Sequence, residues 1–330
     1  MAINKRLIRT NDEAAAGPSF NTVLYSGNDS VQAVTGVGFQ PDWVWLMGRN
    51  VARNYMYSEI NGNIEYGVSS STAIWEDAGN ALTSFDSDGF TLGDNFGSNE
   101  GGINYVAWCW KAGGAAVTNT DGTITSQVSA NTEAGFSIVS YTGNGANATI
   151  GHGLNSAPDM FIVKRRDGPA SWAVYHSSVG VNHTLQLDTT SAQISVSGKY
   201  SGTNSSVFGV NSASDVNFNN SNYIAYCFAE ISGFSKFGSY TGNGSTNGPT
   251  IDCGFEPAFV MIKRSNGIGG WFIYDNKRAS NLYLEANSSN AEGSDGGIAF
   301  NSNGFTINVT YQDHNASGGQ YIYMAFANQF

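Results

Sequence analysis

The chain is a succession of short apolar runs separated by small polar residues. The runs are rich in aromatic and β-branched residues, and dipeptides such as Asn-Gly, Asp-Gly and Gly-Asn interrupt them about every 8 to 12 residues. Apart from a candidate short helix at 12–16, capped by Asn11 and stopped by Gly17 and Pro18, no window repeats its apolar residues at the helical period. The pattern predicts an all-β protein.

In the last third of the chain the apolar runs predict six strands. These are 235–240, 258–263, 271–274, 281–285, 305–309 and 321–327. Six or seven strands in about 95 residues match the size of a β-sandwich or a jelly roll.

Three landmarks recur along the chain at matched spacings. The pentapeptide Y-T-G-N-G occupies residues 141–145 and 240–244, and Y-S-G-N-D occupies residues 25–29. Each is followed by a proline strand and then by an aromatic closing strand. The pairs are Pro41 with 105–110, Pro158 with 223–228, and Pro257 with 321–326. Because all three landmarks share one spacing, the chain contains three copies of one structural unit.

The copies divide the chain into five parts. We expect an N-terminal arm at 1–20, jelly-roll-like β-sandwich repeats at 21–111, 135–231 and 232–330, and a linker at 112–134. The last of these is rich in Gly, Thr and Ser, which is typical of a linker or of an extended surface strand. Gly and Asn tolerate positive φ, so we interpret the pentapeptide as one turn per sandwich, with its tyrosine at the edge of the core.

Two of the predicted strands are apolar on both faces. Both W-V-W-L-M at 43–47 and V-A-W-C-W at 106–110 have apolar residues at successive positions, whereas a strand of a lone sandwich has one wet face. A neighbouring copy or another subunit must therefore cover the second face. Three internal copies could form a pseudo-threefold cluster on their own or contribute to a larger symmetric ring, and the sequence fits both.

Composition and charge exclude some classes of partner. Apolar residues make up 41% of the chain, enough for real cores, while charged residues make up only 12%. The net charge is -11, and we expect no nucleic-acid partner because phosphate binding needs a basic face. Lys5, Arg6 and Arg9 are a local exception, either a solvated tail or a docking arm. The longest apolar runs are shorter than 18 residues, so we expect no membrane insertion.

The first residues and the cysteines favour folding in a reducing cytoplasm. Residues 1–10 lack the apolar region of a secretory signal. Cys109, Cys227 and Cys253 are too few and too far apart for a disulfide framework or a zinc pattern. Since Cys109 and Cys227 hold the same place in their closing strands, we expect both thiols to be free and buried.

The candidate metal ligands and catalytic residues also have structural interpretations. Asp86 and Asp88 in D-S-D-G begin like a calcium loop, but the later acidic ligands are missing and N-S-N-G replaces the motif in the third copy, which favours a turn. The four histidines form no zinc or triad motif; they are His152, His176, His183 and His314. The carboxylates considered for glycan hydrolysis do not recur as pairs; they are Asp188, Glu230, Asp275 and Glu285. We expect no enzyme activity, no metal and no cofactor.

Aromatic residues in copy-specific loops are the best candidates for ligand binding. They are Trp75, Phe96, Tyr200 and Tyr311. Loops on a rigid β scaffold often carry recognition, and an aromatic ring beside Asn and Asp suits the face of a sugar. Packing against a neighbouring copy is the alternative for these rings. Trp172 and Trp271 align between copies, and we assign both to the core.

Several motifs resemble those of one protein family. They include G-V-G-F-Q-P-D-W-V-W, S-F-D-S-D-G-F-T-L-G, Y-V-A-W-C-W-K-A-G-G, S-A-P-D-M-F-I-V-K-R, F-E-P-A-F-V-M-I-K-R and Y-I-Y-M-A-F-A. Over nearly its whole length the chain resembles repeated structural proteins of marine tailed bacteriophages. The resemblance implies a virion component, often fibre-like, and brings no catalytic residues. The first proline strand reads W-L-M-G-R, without the lysine that is usual there in the family.

The resemblance and the residues together predict a non-enzymatic virion surface protein of a phage, assembled in the host cytoplasm. One hypothesis is a fibre- or spike-like component that attaches to host surface glycans through the copy-specific loops. An alternative is a structural decoration of the capsid or tail, docked through the N-terminal arm. A third is a polysaccharide depolymerase. Other virion proteins are the expected partners, and we expect a homo-oligomer.

Overall fold

A computed structural model describes residues 19–60, 62–294 and 296–328 of the chain. The basic residues Lys5, Arg6 and Arg9 and the candidate helix at 12–16 lie outside the described residues. Among the described residues, helix is limited to two single turns. No helix in this part of the chain has the length and apolar character needed to cross a lipid bilayer.

The strands follow one another in three similar series. Copy 1 contains β1 (Phe20–Ser26), β2 (Gln32–Thr35), β3 (Trp43–Gly48), β4 (Asn54–Ile60), β5 (Asn63–Gly67), β6 (Glu76–Asp77), β7 (Leu82–Asp86), β8 (Gly89–Leu92), the helical turn α1 (Phe96–Asn99) and β9 (Asn104–Trp110). After β10 (Val117–Asn119) and β11 (Ser126–Asn131), copy 2 contains β12 (Phe136–Thr142), β13 (Ala148–Gly151), β14 (Met160–Arg165), β15 (Ala173–His176), β16 (His183–Gln186), β17 (Ile194–Ser195), β18 (Tyr200–Thr203), β19 (Val207–Val210) and β20 (Asn222–Phe228). Copy 3 contains β21 (Ser235–Thr241), β22 (Thr250–Asp252), β23 (Pro257–Arg264), β24 (Trp271–Asp275), β25 (Leu282–Glu285), β26 (Gly293–Ser294), β27 (Ile298–Asn301), β28 (Gly304–Ile307), the helical turn α2 (Gln312–Asn315) and β29 (Gln320–Ala327).

Each copy is a sandwich of one large and one small antiparallel sheet. The large sheets have the strand orders β1-β9-β3-β4-β5-β6, β10-β11-β12-β20-β14-β15-β16-β17 and β21-β29-β23-β24-β25-β26. The small sheets have the orders β2-β8-β7, β13-β19-β18 and β22-β28-β27. Corresponding strands hold corresponding places in the three copies. The predicted all-β fold of tandem sandwiches is therefore confirmed.

The six strands predicted in the third copy are present, with ends shifted by up to two residues. They are β21, β23, β24, β25, β28 and β29. The sequence analysis missed β22, β26 and β27. These strands are two to four residues long, so none carries an apolar run long enough to stand out from its flanking turns.

The segment at 112–134 is a β-hairpin and not an open linker. β11 pairs with β12 in antiparallel register, from Ser126 opposite Tyr141 to Asn131 opposite Phe136, and β10 pairs with β11. The segment thus widens the large sheet of copy 2 by two strands. Its Thr, Ser and Val residues favour extended backbone, and the edge of β12 offers the N–H and C=O groups that bind it.

The large sheets are buried on both faces. In β3, Val44 and Leu46 face the interior of copy 1, whereas Trp43, Trp45 and Met47 face a core to which all three copies contribute. β14 in copy 2 alternates in the same way between its own core and the shared core. A neighbouring copy therefore covers the second apolar face, which was one of the two predicted arrangements.

The cysteines lie inside these cores. Cys109 and Cys227 are free and buried, as predicted, and so is Cys253. Burial raises the pKa of each thiol, to about 12 for Cys253. The thiolate that would react with an oxidant or a metal is therefore disfavoured at neutral pH.

The three copies close into a ring around a pseudo-threefold axis. A loop of each copy lies against the end of the proline strand of the next, and one backbone hydrogen bond marks each contact. The bonds run from Trp75 N to Arg166 O (3.0 Å), from Gln193 N to Ser265 O (2.7 Å) and from Glu292 N to Arg49 O (2.8 Å). They join copy 1 to copy 2, copy 2 to copy 3 and copy 3 to copy 1, so the chain closes on itself.

The two ends of this ring differ. At the first, which we call the arm end, β1, β12 and β21 begin and the closing strands β9, β20 and β29 finish. The ring of Phe326 meets those of Trp110 and Phe228 there, with centroids 5.7 and 6.0 Å apart. Both connections between copies leave the closing strand and enter the next copy at the arm end. The opposite end, the turn end, carries the repeated turns at 25–29, 141–145 and 240–244.

Candidate functional site

The turn end is built from the same parts in each copy, and the first part is a fully buried asparagine. Its side-chain oxygen accepts a hydrogen bond from the backbone N–H in the middle of the repeated turn. The three bonds are Asn28 to Asn99 (3.1 Å), Asn144 to Asn217 (2.8 Å) and Asn243 to Asn315 (2.7 Å). The side-chain amide donates back to the same turn, as from Asn217 to the carbonyl of Ala146. A distant segment therefore fixes each turn.

The second part is a pair of stacked tyrosines. The pairs are Tyr25 with Tyr105, Tyr141 with Tyr223 and Tyr240 with Tyr321, with ring centroids 5.0, 5.1 and 4.8 Å apart. The hydroxyl of Tyr141 donates to the carbonyl of Val216 at 2.6 Å, and Tyr25 and Tyr240 make equivalent bonds. The tyrosine of the pentapeptide thus lies at the edge of the core and anchors the turn.

The third part is, in copies 2 and 3, a pair of glycines with different tasks, whereas in copy 1 Asp29 takes the second place with a φ of 55°. At Gly143 an added Cβ atom would collide with the carbonyl oxygen of Phe218, so the first glycine permits a close approach of two backbones. Gly145 has a φ of 69°, which favours glycine. The prediction that the asparagine between them also uses positive φ is wrong. Among the described non-glycine residues only Asp29 and Asn220 have positive φ.

Buried lysines join copy 2 to copy 1 and copy 3 to copy 2. The ammonium of Lys164, on β14, donates to the carbonyl of Thr72 in copy 1 at 3.0 Å, and Lys263, on β23, makes the equivalent bond to copy 2 at 3.1 Å. Each ammonium also lies over an indole ring, Trp172 at 5.7 Å or Trp271 at 5.9 Å. Burial lowers the pKa of both lysines to about 8.

Trp172 and Trp271 belong to the core, as predicted, and they lie where copies meet. The indole N–H of Trp172 donates to the carbonyls of Val68 and Ser71 in copy 1, both at 3.1 Å. The indole N–H of Trp271 donates to the carbonyl of Gln186 in copy 2 at 2.9 Å. Each tryptophan therefore fixes the docking loop of the preceding copy.

The contact between copies 3 and 1 performs the same task with other residues. Met47 and Asn54 stand where the other copies have the lysine and the tryptophan, as the strand registers show. The side-chain amide of Asn54 donates to the carbonyl of Ala286 in copy 3 at 3.2 Å. The missing lysine of W-L-M-G-R is thus replaced by a different donor. Arg49 adds an ion pair with Glu292 at 2.8 Å.

One position in each large sheet makes a polar contact across the shared core. Ser58 Oγ lies 2.7 Å from the hydroxyl of Tyr226, His176 Nε2 lies 3.2 Å from the carbonyl oxygen of Tyr323, and Asp275 Oδ2 accepts from the indole N–H of Trp108 at 3.0 Å. Arg278 pairs with Asp275 at 2.7 Å, with both side chains fully buried. The three interfaces match in position and differ in chemistry, so each favours its own partner.

The aromatic residues predicted to bind a ligand lie in different places. Trp75 is 6% exposed and packs between copies 1 and 2, with its ring centroid 6.1 Å from that of Trp172. Tyr200 is 1% exposed inside copy 2. These two predictions need correction, because the loop of Trp75 folds back onto copy 2, and Tyr200 begins β18 with its ring packed against Phe161 in the core of copy 2. Tyr311 precedes α2 and is 54% exposed, and Phe96 begins α1.

Asp86 and Asp88 hold a turn. Asp86 accepts hydrogen bonds from the hydroxyls of Ser84 and Thr91, at 2.8 and 2.7 Å. Asp88 accepts from two backbone N–H groups of the loop before β3. Across the described ranges, no three His, Cys, Asp or Glu side chains are grouped as a metal ion would require. These contacts agree with the turn interpretation.

Other titratable candidates also have structural partners. The ring nitrogen Nδ1 of His152 accepts from the N–H of Leu154 at 3.1 Å, and burial lowers the pKa of this histidine. His314 Nε2 lies 2.7 Å from the hydroxyl of Tyr274, and burial lowers its pKa to about 4. The candidate carboxylates are bonded as well: Asp188 to the N–H of Trp172, Glu230 to Lys236, Glu285 to Asn287 and Asp275 to Arg278.

A cleft of about 230 Å³ lies between copy 1 and the 112–134 hairpin. Its lining includes Asp42, Glu59 and Gln127. Burial raises the pKa of Asp42, which accepts a hydrogen bond from the N–H of Ala112 at 2.7 Å. Asp159 accepts the equivalent bond in copy 2. Asp42 therefore serves to hold the chain as it leaves a closing strand.

The sequence analysis missed the residues that join the copies. Lys164 and Lys263 were visible as a charge that recurs at one place in two strands that are otherwise apolar. Such a charge is rarely buried without a partner, and this was the available signal. Ser58, His176 and Asp275 carry no common residue type, so nothing in the sequence marked them as equivalent.

Comparison with known proteins identifies a family. A family described as "Domain of unknown function (DUF7483)" matches residues 15–329. The match spans all three copies. No curated protein and no solved structure matches the chain. The chain belongs to the DUF7483 family.

Proposed function

We propose that the chain is a non-enzymatic surface component of a bacteriophage particle, fixed at its arm end and presenting its turn end to the host. The position of the chain ends is the observation that carries this proposal. The first described residue, Ser19, and the end of the last strand, β29, both lie at the arm end. Residues Lys5, Arg6 and Arg9 come before Ser19 in the chain. Attachment there leaves the three repeated turns free to face outward.

The chemistry of the turn end suits contact with glycans. After the anchoring tyrosine the turns consist of Asn, Ser, Thr and Gly, with Asp29 in copy 1, and their amides, hydroxyls and carboxylate can exchange hydrogen bonds with sugar hydroxyls. A buried asparagine and a tyrosine pair hold each turn in place, so little conformational freedom is lost on binding. Loops that differ between copies surround this rigid base, as in many recognition surfaces. We therefore propose host surface glycan as the ligand of the turn end.

Gold-labelled antibodies against the ring, applied to purified particles, test the proposal. Label on the tail or its fibres, together with slower adsorption to the host when free ring is added, is the expected result. Label over the head would favour the alternative, a decoration of the capsid. Particles without label would contradict a virion surface protein, provided that the antibody binds the native ring.

A further inference from the structure

One arginine at the turn end lacks the partner that its counterpart has. Arg165 in copy 2 and Arg264 in copy 3 hold the same position at the end of the proline strand. Arg165 pairs with Asp167 at 2.8 Å. In copy 3 the residue equivalent to Asp167 is Asn266, since each accepts a hydrogen bond from the first backbone N–H of the closing strand. The change from Asp to Asn removes the carboxylate from the third copy.

Arg264 has no substitute for the missing carboxylate. Its Nε is buried and has no hydrogen-bond partner in the described part of the chain. None of the ion pairs formed within the described ranges includes it. Buried polar groups, and charged ones above all, are normally bonded, so an unpaired guanidinium nitrogen calls for an explanation. The terminal nitrogens Nη1 and Nη2 of Arg264 are not among the buried unbonded atoms, so an anionic ligand would pair with the guanidinium through these two nitrogens.

The surroundings of Arg264 indicate what kind of anion fits. Tyr311 is 54% exposed and Ile268 is 75% exposed. Gly269 lies between Arg264 and Asp313, since an added Cβ there would be 3.2 Å from Arg264 Cβ and 2.9 Å from Asp313 Oδ1. Asp313 follows Tyr311 by two residues, in α2. We refer to Arg264, Ile268, Tyr311 and Asp313 as the copy 3 cluster.

We infer that the copy 3 cluster binds a sugar that carries a carboxylate. The planar guanidinium of Arg264 can hold a carboxylate through two parallel hydrogen bonds. The exposed ring of Tyr311 and the side chain of Ile268 offer apolar surface to the carbon face of the sugar. The carboxylate of Asp313 can accept hydrogen bonds from sugar hydroxyls. The inference rests on the proposed function and specifies the ligand class of the turn end.

Asp313 also argues against a phosphate as the ligand. A carboxylate beside the cation repels a dianion more strongly than a group with one negative charge. A uronic acid combines one negative charge with hydroxyls on neighbouring carbons, which matches one cation beside one acceptor. In copy 2 the same position is already neutralised by Asp167, so binding is confined to the third copy.

The test uses the full chain with tetragalacturonate and its methyl ester as probes. Ligand-observed NMR on the purified protein should show binding of the acid and at least about tenfold weaker binding of the ester. Arg264→Gln and Tyr311→Ala should each weaken binding of the acid about tenfold or more. Arg165→Gln, the matched change in copy 2, should leave it unchanged. Inorganic phosphate at the same concentration should not displace the acid.

Asn266→Asp is the most discriminating variant. It gives copy 3 the carboxylate of copy 2, so Arg264 gains an internal partner, and binding should be lost while the melting temperature is kept or raised. Equal binding of acid and ester, no binding of either, displacement by phosphate, or unchanged binding by the Asn266→Asp variant would each overturn the inference. Particle labelling reports separately on the proposed function: labelled tails without binding of the acid refute the sugar inference alone.

Discussion

His176 and His314 are buried in the interior with neutral oxygen atoms as partners. His176 Nε2 lies 3.2 Å from the carbonyl oxygen of Tyr323, across the boundary between copies 2 and 3, and His314 Nε2 lies 2.7 Å from the hydroxyl of Tyr274. Burial lowers the pKa of each histidine from 6.5 to about 4. The fold thus uses imidazole as a neutral hydrogen-bonding group and becomes sensitive to acid at these positions.

We predict that the free energy of unfolding falls as the pH drops from about 6.5 to 4. In this window the unfolded chain binds protons that the folded chain excludes, so protonation favours unfolding, by up to about 3 kcal/mol for each histidine. In urea unfolding measured between pH 4 and 7, the free energy of unfolding of the His176→Asn variant should depend less steeply on pH. The difference should correspond to one proton fewer bound on unfolding. A variant with the same slope as the parent protein would contradict a neutral, buried imidazole at this position.

At the scale of the turn, the close backbone contact at Gly143 should be sensitive to a single methyl group. We predict that Gly143→Ala destabilises the protein by about 1–3 kcal/mol, because the added Cβ meets the carbonyl of Phe218 and the neighbouring backbone must shift. Thr142→Ala, an exposed change at the last residue of β12, is the control and should cost about 0.5 kcal/mol, because it removes only the hydroxyl bond to Asn222. Equal stability of the two variants in urea would show that the turn has room to spare.

At the scale of the element, strands β14 and β23 join neighbouring copies through their buried lysines, Lys164 and Lys263. We predict that Lys164→Met, which copies the natural residue of copy 1, destabilises the protein by about 1–3 kcal/mol. Copy 1 tolerates Met47 because Asn54 supplies a donor there. In the Lys164 variant, by contrast, the carbonyls of Thr72 in copy 1 and Ala170 in copy 2 lose their ammonium donor.

The pH dependence of this variant distinguishes a lost lysine from a simple loss of packing. The pKa of Lys164 is lowered from 10.5 to about 8 in the folded state. The unfolded chain therefore binds more protons between these values, and stability rises with pH just above 8. The variant should lose about half of this rise, and Lys263 should retain the rest. An unchanged rise, or an unchanged stability at neutral pH, would contradict the proposed role of Lys164.

At the scale of the whole molecule, the closed ring should fold whichever copy comes first in the chain, because each copy keeps the same two neighbours. The rings of Phe20 and Phe326 stack with centroids 5.4 Å apart, so the two ends of the described chain are neighbours. We predict that a circular permutant opened at Ser232 and joined from residue 328 to 19 by a short Gly/Ser linker folds to the same ring, with a melting temperature within about 8 °C. A permutant opened at Ile162, inside β14, should fail to fold. Aggregation of the first permutant would contradict closure between copies 3 and 1.

The sequence was sufficient to predict the three sandwiches, because the turn, proline and closing-strand landmarks repeat with one spacing. It also predicted that the second apolar face of β3 is covered. It could not show that rings of copy 2 cover this face, since the packing of one copy against another depends on shape. For the same reason the sequence did not reveal that the side chains of Trp75 and Tyr200 point inward. The absence of a carboxylate partner for Arg264 becomes clear only when Asn266 of copy 3 is aligned with Asp167 of copy 2.

The proposed orientation of the ring on a phage particle is the measurement that tests this account most directly. A short epitope inserted after Thr246 marks the turn end, and the same epitope after Thr132, between β11 and β12, marks the arm end; both sites are exposed. Gold-labelled antibody should bind both tagged proteins when they are free. On intact particles it should bind only the tag after Thr246. Label on the Thr132 tag alone would reverse the orientation and contradict a ring that is attached by its arm end and displays its turns to the host.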